Sequence, residues 1–266
     1  MLDAASLFDL TDFDHADIFA DSSFSWSALN RLKAYMDSYD YPPIDRALIS
    51  DARPLAETVI LHEGRFYQAT DLTIDYDDVT KGKLRVSHGT TPLPGATVIM
   101  AGALLLGERV ALGKGVLIES GAMIKSPAII GDCTEIRQAA YLRGHCLAGK
   151  RCVIGHATEV KHSIFLNDAK AGHFAYLGDS ILGTNVNLGA GTKFANLKMV
   201  PGNVIIHCDG ARHDTGRRKF GAILGDGSQT GCNSVTNPGT IFGRRCLLMP
   251  NTTTKGTYYP ENSRVM

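Results

Sequence analysis

The stretch MAGALLLGERVALGKGVLIESGAMIKSPAII, residues 100–130, carries a large apolar residue at every sixth position. A helix requires apolar spacings of three and four, and a half-buried strand alternates every second residue. A sustained period of six is instead the hexapeptide signature of a parallel β-helix, in which each coil has three six-residue faces. The period continues along the chain as Met100, Leu106, Leu112, Ile118, Ile124, Ile130, Ile136, Leu142, Ala148, Ile154, Val160 and Leu166. The sequence therefore predicts a mainly β solenoid with these side chains inside.

A second class of smaller residues follows four positions after the aliphatic ones. We expect these residues to fill the walls of the prism while the coils pair through backbone hydrogen bonds about 4.8 Å apart. The members of this class are Val110, Val116, Ala122, Ala128, Thr134, Ala140, Cys146, Cys152 and Thr158.

The period is interrupted at KAGHFAYLGDS, residues 170–180. Gly172 stands where the period requires an aliphatic residue, His173 follows it, and the next aliphatic, Leu177, arrives one position early. A lost core side chain in an irregular coil predicts a cavity beside His173. The period then resumes at Leu182, Leu188, Phe194, Leu224, Thr230, Thr236, Phe242, Leu248 and Thr254.

The rest of the chain divides around this repeat. Residues 94–266 are expected to form the β-helix, with an inserted loop or small hairpin at about 196–221. Residues 1–93 are expected to form a small α+β domain of unknown role. Within it, SWSALNRLKAYMDSYD (25–40) predicts one helix, and ETVILHEGRFYQATDLTIDY (57–76) predicts two strands around Glu63 and Gly64.

Composition excludes several classes of function. The 27 basic and 27 acidic residues balance, so we expect neither a nucleic-acid nor a membrane partner. The acidic N-terminus lacks the pattern of a signal peptide, which predicts a cytoplasmic protein. The six cysteines show no CxxC pair, and we interpret them as reduced, buried wall residues.

Two cations are expected to stack on one edge of the prism. Arg143 and Lys161 are eighteen residues apart, and each follows an inward aliphatic residue. Such a pair is unfavourable unless an anion lies between the two charges, which points to a phosphate site. The alternative is two solvated surface charges.

His173 is a candidate base, because an imidazole can accept a proton near neutral pH. A structural histidine is the alternative at this position. His156 and His162 suggest a metal, but they should project from different faces and stack on Phe174 and Ser180. We therefore expect no metal site.

The segments EVKHSIFLNDAKAGHFAYLGDSILGTNVNLGAGTKFANL (159–197) and DTGRRKFGAILGDG (214–227) resemble a known family. The family is the acetyltransferase domain of bifunctional N-acetylglucosamine-1-phosphate uridyltransferase/glucosamine-1-phosphate acetyltransferases, with related sugar-phosphate nucleotidylyltransferase-like proteins. The resemblance covers about residues 100–256. It implies a left-handed β-helix assembled as a homotrimer, with active sites between neighbouring subunits and acetyl-coenzyme A as co-substrate.

The resemblance also implies roles for individual residues. His173 matches the catalytic base, and Ala190 and Cys232 match positions lining the acetyl-coenzyme A site. The positions that match substrate contacts are Arg143, Lys161, Tyr176, Asn187 and Lys219. Two departures stand out: Gly144 follows Arg143 where the family usually has proline, and residues 1–93 contain no GxG nucleotide loop.

Together these features predict an acetyl-coenzyme A-dependent N-acetyltransferase acting on an amino-sugar phosphate such as glucosamine 1-phosphate. Its place would be nucleotide-sugar and cell-envelope precursor synthesis, and the proposed chemistry requires no metal. The alternative is a non-catalytic or regulatory β-helix that binds a sugar phosphate or a nucleotide sugar.

Overall fold

The computed structural model describes residues 1–20 and 23–266, and most of them belong to a solenoid of parallel strands. Three sheets enclose one apolar interior, and we call them faces one, two and three in the order in which each coil visits them. Strands of successive coils pair in parallel, as at Ile136 with Ile154. The mainly β, hexapeptide-repeat fold that the period predicts is confirmed.

The strands of each face stack in chain order. Face one contains Thr97–Ile99, Leu117–Ile118, Glu135–Ile136, Val153–His156, Lys170–His173, Asn187–Leu188, Gln229–Thr230, Leu247–Leu248 and Arg264–Val265. Face two contains Leu104–Leu106, Met123–Lys125, Tyr141–Leu142, Glu159–Lys161, Tyr176–Gly178, Lys193–Phe194 and Val235–Thr236. Face three contains Val110–Leu112, Ala128–Ile130, Cys146–Ala148, Ser163–Phe165, Ile181–Leu182, Ala222–Leu224, Thr240–Phe242 and Tyr258–Tyr259.

The register stacks the inward side chains on one another. On face one, Ile118, Ile136 and Ile154 are successive partners, and each is 0% exposed. Burial of each such side chain contributes about 1.5–3 kcal/mol. The smaller wall residues are buried as predicted, and the Thr134 hydroxyl accepts a hydrogen bond from the Cys152 amide at 3.0 Å.

The first coil departs from the predicted phase. Val98 pairs with Leu117 and Leu105 pairs with Ile124, so this coil is one residue longer than the next. The inward residues are therefore Ile99 and Leu105, and the prediction of Met100 and Leu106 is wrong.

A second departure begins at His162. Val160 pairs with Leu142 at the expected separation of 18, but Ile164 pairs with Leu147 at a separation of 17. One residue is therefore missing from the corner between faces two and three. As a result, Phe165 rather than Leu166 points inward.

The same shortening corrects the interpretation of KAGH. Ala171 pairs with Ile154 below it and Leu188 above it, and it is 0% exposed. The inward slot thus holds Ala171, and the prediction that Gly172 occupies it is wrong. The core side chain at this level is reduced from isoleucine to alanine, while Gly172 is the next residue of the same strand.

The N-terminal residues cover face three. Its outward column is apolar throughout and packs beneath the helices α1 (Ala4–Leu7) and α2 (Ser27–Ser38) and the 3-10 turn Ala16–Phe19. The column consists of Ala111, Ile129, Leu147, Ile164, Ile181, Ile223 and Ile241. The predicted helix in 25–40 is confirmed.

Residues 58–93 cover the first coils of face one. The hairpin Val59–His62 and Arg65–Gln68 turns at Glu63 and Gly64 as predicted, and its first strand pairs antiparallel with Thr97–Ile99. A separate sheet contains Leu72–Asp75, Arg85–His88 and Thr91–Pro92, with the 3-10 turn Val79–Lys81 between its first two strands.

The excursion at 196–221 contains a hairpin, formed by Ile205–Cys208 and Ala211–Asp214. It packs beside α2, and the Phe220 ring lies edge-on to Trp26 with centroids 6.2 Å apart. Because the excursion leaves and rejoins between Phe194 and Ala222, the solenoid register continues across it.

The cysteines only partly match their predicted environment. Cys146, Cys152, Cys208 and Cys246 are buried, whereas Cys133 is half-buried and Cys232 is exposed. The prediction that the cysteines are buried wall residues is therefore wrong for Cys133 and Cys232, and Cys208 is buried in the excursion hairpin rather than in a wall of the prism. Among residues 1–20 and 23–266, no helix has the length and apolar character needed to cross a membrane.

Candidate functional site

His173 lies in a cleft of ≈ 580 Å³ on face one. It is exposed at the end of Lys170–His173, where the chain turns from face one towards face two. Four of the residues that the sequence predicts for the site line this cleft together: His173, Asn187, Ala190 and Cys232. We call it the His173 cleft.

The register explains why these residues meet. Lys170 pairs with Asn187 and Asn187 with Gln229, so the corner residues His173, Ala190 and Cys232 lie on three successive coils. Backbone hydrogen bonds tie the column together, from Gly191 N to His173 O at 3.0 Å and from Asn233 N to Ala190 O at 2.8 Å. Successive positions in such a column are about 4.8 Å apart. A reactant could therefore extend along it from His173 towards Cys232.

Residues 77–80 supply the opposite wall of the cleft. Asp77, Asp78, Val79 and Thr80 line it, and Val79 is 4% exposed because it packs in a cluster with Val98 and Leu117. The Asp78 carboxylate accepts a hydrogen bond from the Thr80 hydroxyl and pairs with Lys81. These contacts hold the pKa of Asp78 at about 2, with the hydrogen bond from Lys81 as the largest cause. No pattern in the sequence predicted this wall.

The predicted cation pair lies at the far edge of face two. The register places Arg143 beside Lys161, as the eighteen-residue spacing predicts. Each cation has a carboxylate of the same chain: Arg143 Nη1 lies 2.7 Å from Glu159 Oε1, and Lys161 Nζ lies 3.8 Å from Asp179 Oδ2. The stacked charges therefore do not by themselves require an external anion.

Asp179 is the buried centre of this edge, with 6% of its side chain exposed. Its Oδ1 lies 3.0 Å from Arg217 Nη2 and 3.3 Å from His162 Nδ1, and its Oδ2 accepts a hydrogen bond from Asn196 Nδ2 at 2.8 Å. Burial opposes the charged form, but the contact with His162 and the charges of His162 and Lys161 outweigh it. The pKa of Asp179 therefore lies below its usual value. We call Arg143, Glu159, Lys161, Asp179 and Arg217 the Asp179 corner.

Two further predicted residues reach this corner indirectly. The Tyr176 hydroxyl donates to Asn196 Oδ1 at 3.5 Å, and Asn196 donates to Asp179. Lys219 is exposed in the excursion, and its carbonyl accepts a hydrogen bond from Arg217 Nε at 3.1 Å. Arg217 also donates a hydrogen bond to Asn30 of α2 at 2.7 Å, so the Asp179 corner joins the solenoid, the excursion and helix α2.

Sequence reasoning missed Glu159 and Asp179. The early arrival of Leu177 was the available signal, because a 17-residue coil stacks Asp179 on His162. The predicted partners Phe174 and Ser180 are accordingly wrong: His156 stacks on His173, and His162 stacks on Asp179. Among the residues that the structure describes, no group of three or more His, Cys, Asp or Glu side chains could hold a metal ion.

Part of the chain is similar to curated proteins. Over 111 residues it is 37% identical to the bifunctional sugar-1-phosphate nucleotidylyltransferase/acetyltransferase of Sulfurisphaera tokodaii, covering 42% of this chain and 28% of that protein. It is 34% identical over 115 residues to the bifunctional protein GlmU of Methanococcus vannielii, covering 41% and 28%. The resemblance expected from the sequence is confirmed. The matched segment spans little more than a quarter of these relatives, and no family model matches the chain.

Among proteins of known structure, the perosamine N-acetyltransferase of Caulobacter crescentus, crystallised as a variant with CoA and GDP-perosamine, is 18% identical with a TM-score of 0.28. The match covers 58% of this chain and 53% of that one.

Proposed function

We propose that this protein is an acetyl-coenzyme A-dependent N-acetyltransferase acting on an amino-sugar phosphate, such as glucosamine 1-phosphate. The observation that carries the proposal is the column of His173, Ala190 and Cys232 on successive coils, lining one cleft with Asn187. The identity of about a third with bifunctional nucleotidylyltransferase/acetyltransferases supports the same reaction class. Coenzyme A in the cleft would explain why the column is open along several coils.

In the proposed reaction the acceptor amine attacks the thioester carbonyl carbon of acetyl-coenzyme A. His173 accepts the proton that the amine loses, and a backbone amide near Ala190 stabilises the oxyanion. Collapse of the tetrahedral intermediate breaks the carbon–sulfur bond, and the thiolate of coenzyme A leaves and takes up a proton. Asn187 and Tyr176 orient the sugar. The reaction needs no covalent intermediate, because both reactants are held in one site.

The phosphate of the acceptor is assigned to Arg143, Lys161 and Lys219. These cations belong to the Asp179 corner and the excursion, whereas His173 lies at the other edge of face two. We propose that a homotrimer completes the site by placing the His173 cleft of one subunit against the Asp179 corner of the next. Face three is covered by the N-terminal residues of its own chain, and residues 58–93 cover the first coils of face one, which leaves face two and the later coils of face one for subunit contacts. We assign the protein to the cytoplasm, where its proposed substrates are formed.

An acetyl-transfer screen over a panel of amino-sugar 1-phosphates, with thiol release as the readout, tests the proposal. We expect turnover with at least one amino sugar and none with the matching sugar that carries a hydroxyl in place of the amine. Calorimetry with acetyl-coenzyme A distinguishes an acetyltransferase from the alternative, a non-catalytic protein that binds a sugar phosphate. Binding of sugar phosphate without binding of acetyl-coenzyme A would replace the transferase proposal with that alternative.

A further inference from the structure

The corner between faces two and three carries a column of polar side chains. Because Cys146 pairs with Ser163 and Lys161 pairs with Gly178, the adjoining corner residues His145, His162 and Asp179 follow one another along the solenoid. The rings of His145 and His162 are 6.0 Å apart, and His162 Nδ1 lies 3.3 Å from Asp179. Asp179 is the acidic member of this column, and it is almost fully buried.

Three of the predicted substrate residues depend on Asp179. Lys161 contacts it directly, and Tyr176 reaches it through Asn196. Lys219 is linked to it through Arg217, whose guanidinium spans from Asp179 Oδ1 to the Lys219 carbonyl. A single carboxylate therefore fixes side chains that come from the solenoid and from the excursion.

The arrangement leaves the cations accessible. The Lys161 side chain is 31% exposed although its ammonium contacts a carboxylate that is 6% exposed. Asp179 thus holds Lys161 from the buried side and leaves the outer side free for an anion. Arg143 pairs with Glu159, whose side chain is itself 37% exposed, and remains 42% exposed.

Charge alone would not favour an acid at this position. The corner combines the cations Arg143, Lys161 and Arg217 with the carboxylates Glu159 and Asp179, and the exposed Arg218 and Lys219 follow in the chain. A carboxylate beside a phosphate subsite weakens the electrostatic attraction for phosphate. Its value must therefore lie in the geometry that it imposes on the cations.

We propose that Asp179 is a positioning residue for phosphate recognition, which holds Lys161 and the Arg217-anchored excursion in the geometry that binds the acceptor's phosphate. This inference rests on the proposed function, since it takes the corner as the phosphate subsite. It assigns to Asp179 no contact with substrate.

Calorimetric titration of Asp179→Asn with glucosamine 1-phosphate, and separately with inorganic phosphate, tests the inference. Asparagine keeps the shape and removes the charge. If Asp179 has no positioning role, removal of its negative charge should tighten phosphate binding. Positioning predicts the opposite, a loss of affinity of about tenfold or more, because Lys161 is no longer fixed. Binding of acetyl-coenzyme A should change by less than about twofold, because that ligand is assigned to the His173 cleft.

Asp168→Asn is the matched control. Asp168 also lies at a solenoid corner and forms a bidentate pair with Arg151, at 2.8 and 2.7 Å, away from the Asp179 corner. We expect this variant to bind glucosamine 1-phosphate as the wild type does.

If Asp179→Asn fails to fold, the double variant Asp179→Asn/Arg217→Gln removes one charge of each sign, with Arg217→Gln alone as its reference. The proposal predicts that the double variant binds phosphate more weakly than Arg217→Gln. Equal or tighter phosphate binding in folded Asp179→Asn, or in the double variant relative to its reference, overturns it. Because the readout is binding, absence of acetyl transfer would count against the proposed function without affecting this test.

Discussion

His173 is the register partner of His156 on the preceding coil of face one, 17 residues earlier in the chain. The two histidines occupy equivalent corner positions but different surroundings. His173 lines the cleft with Ala190 and Cys232, whereas His156 lies 3.1 Å from the Gln138 carbonyl through Nδ1 and packs edge-on against Phe174 at 5.1 Å. The shortened corner at His162 creates this pairing. His156 and His173 therefore form a matched pair for mutagenesis.

His173→Ala should lower the rate of acetyl transfer by about 10²- to 10⁴-fold, the usual contribution of a general base. The side chain is exposed, so we expect the thermal unfolding midpoint to stay close to that of the wild type. His156→Ala is the control and should retain turnover within a few-fold. Thiol release under saturating substrates measures both. Full turnover in His173→Ala, or an equal loss in His156→Ala, would rule out the assignment of the base.

Mixed trimers test whether the site is shared between subunits. We expect His173→Ala and Lys161→Ala each to be inactive as homotrimers. If the cleft of one subunit meets the corner of the next, co-assembly of the two variants restores up to about a quarter of the wild-type activity, by random mixing in a cyclic trimer. Sites built from a single chain would give no recovery, and sizing by light scattering verifies that trimers form.

The rate at which Cys232 is alkylated should show whether acetyl-coenzyme A occupies the His173 cleft, and this measurement does not depend on turnover. It is exposed and lines the cleft, whereas burial raises the pKa of Cys146 and Cys152 to about 12, which keeps those thiols protonated. Iodoacetamide should modify Cys232 first, and acetyl-coenzyme A should slow that modification several-fold. Peptide mass mapping distinguishes it from the half-buried Cys133, and Cys232→Ser removes the fast phase. Unchanged labelling with saturating acetyl-coenzyme A would place that ligand elsewhere.

Gly155 and Gly172 provide a paired test of the coil geometry. A Cβ on Gly155 would lie 1.8 Å from the Gly172 carbonyl oxygen, whereas a Cβ on Gly172 meets none of the described atoms within 4 Å. Gly155→Ala should therefore destabilise the fold by more than about 2 kcal/mol, and Gly172→Ala by less than about 1 kcal/mol. Urea unfolding followed by circular dichroism measures both. Similar losses of unfolding free energy in the two variants would contradict the register between the strands that contain Gly155 and Gly172.

Stability should fall on mild acidification, in part because of His145. Burial, followed by the neighbouring His162, lowers the pKa of His145 below its usual value of 6.5. The unfolded chain then binds more protons than the folded one below that pH, so the free energy of unfolding declines as the pH falls from 6.5 towards the folded-state pKa. Burial also lowers the pKa of His15. His145→Asn should reduce the difference in urea midpoint between pH 7.5 and pH 5.5, and an unchanged difference would refute this role.

The interior of this protein follows largely from its hexapeptide period. A period of six can be satisfied by one backbone arrangement, so it assigns Ile118, Leu142 and Phe194 to the core. The grouping of His173, Ala190 and Cys232 in one site came from the family resemblance, because a 17-residue coil and the excursion break the fixed spacing between them.

The length of each coil and the environment of each corner depend instead on how the folded chain packs. A coil of 17 or 19 residues preserves the inward pattern on most faces but changes which side chains stack, so Ala171 replaced Gly172 and Asp179 met His162. The ion pairs of Asp179 with Lys161 and Arg217 join residues up to 38 positions apart. Such contacts depend on where the excursion and α2 pack on the solenoid. That packing is set by burial of the apolar column of face three, and a local period does not encode it.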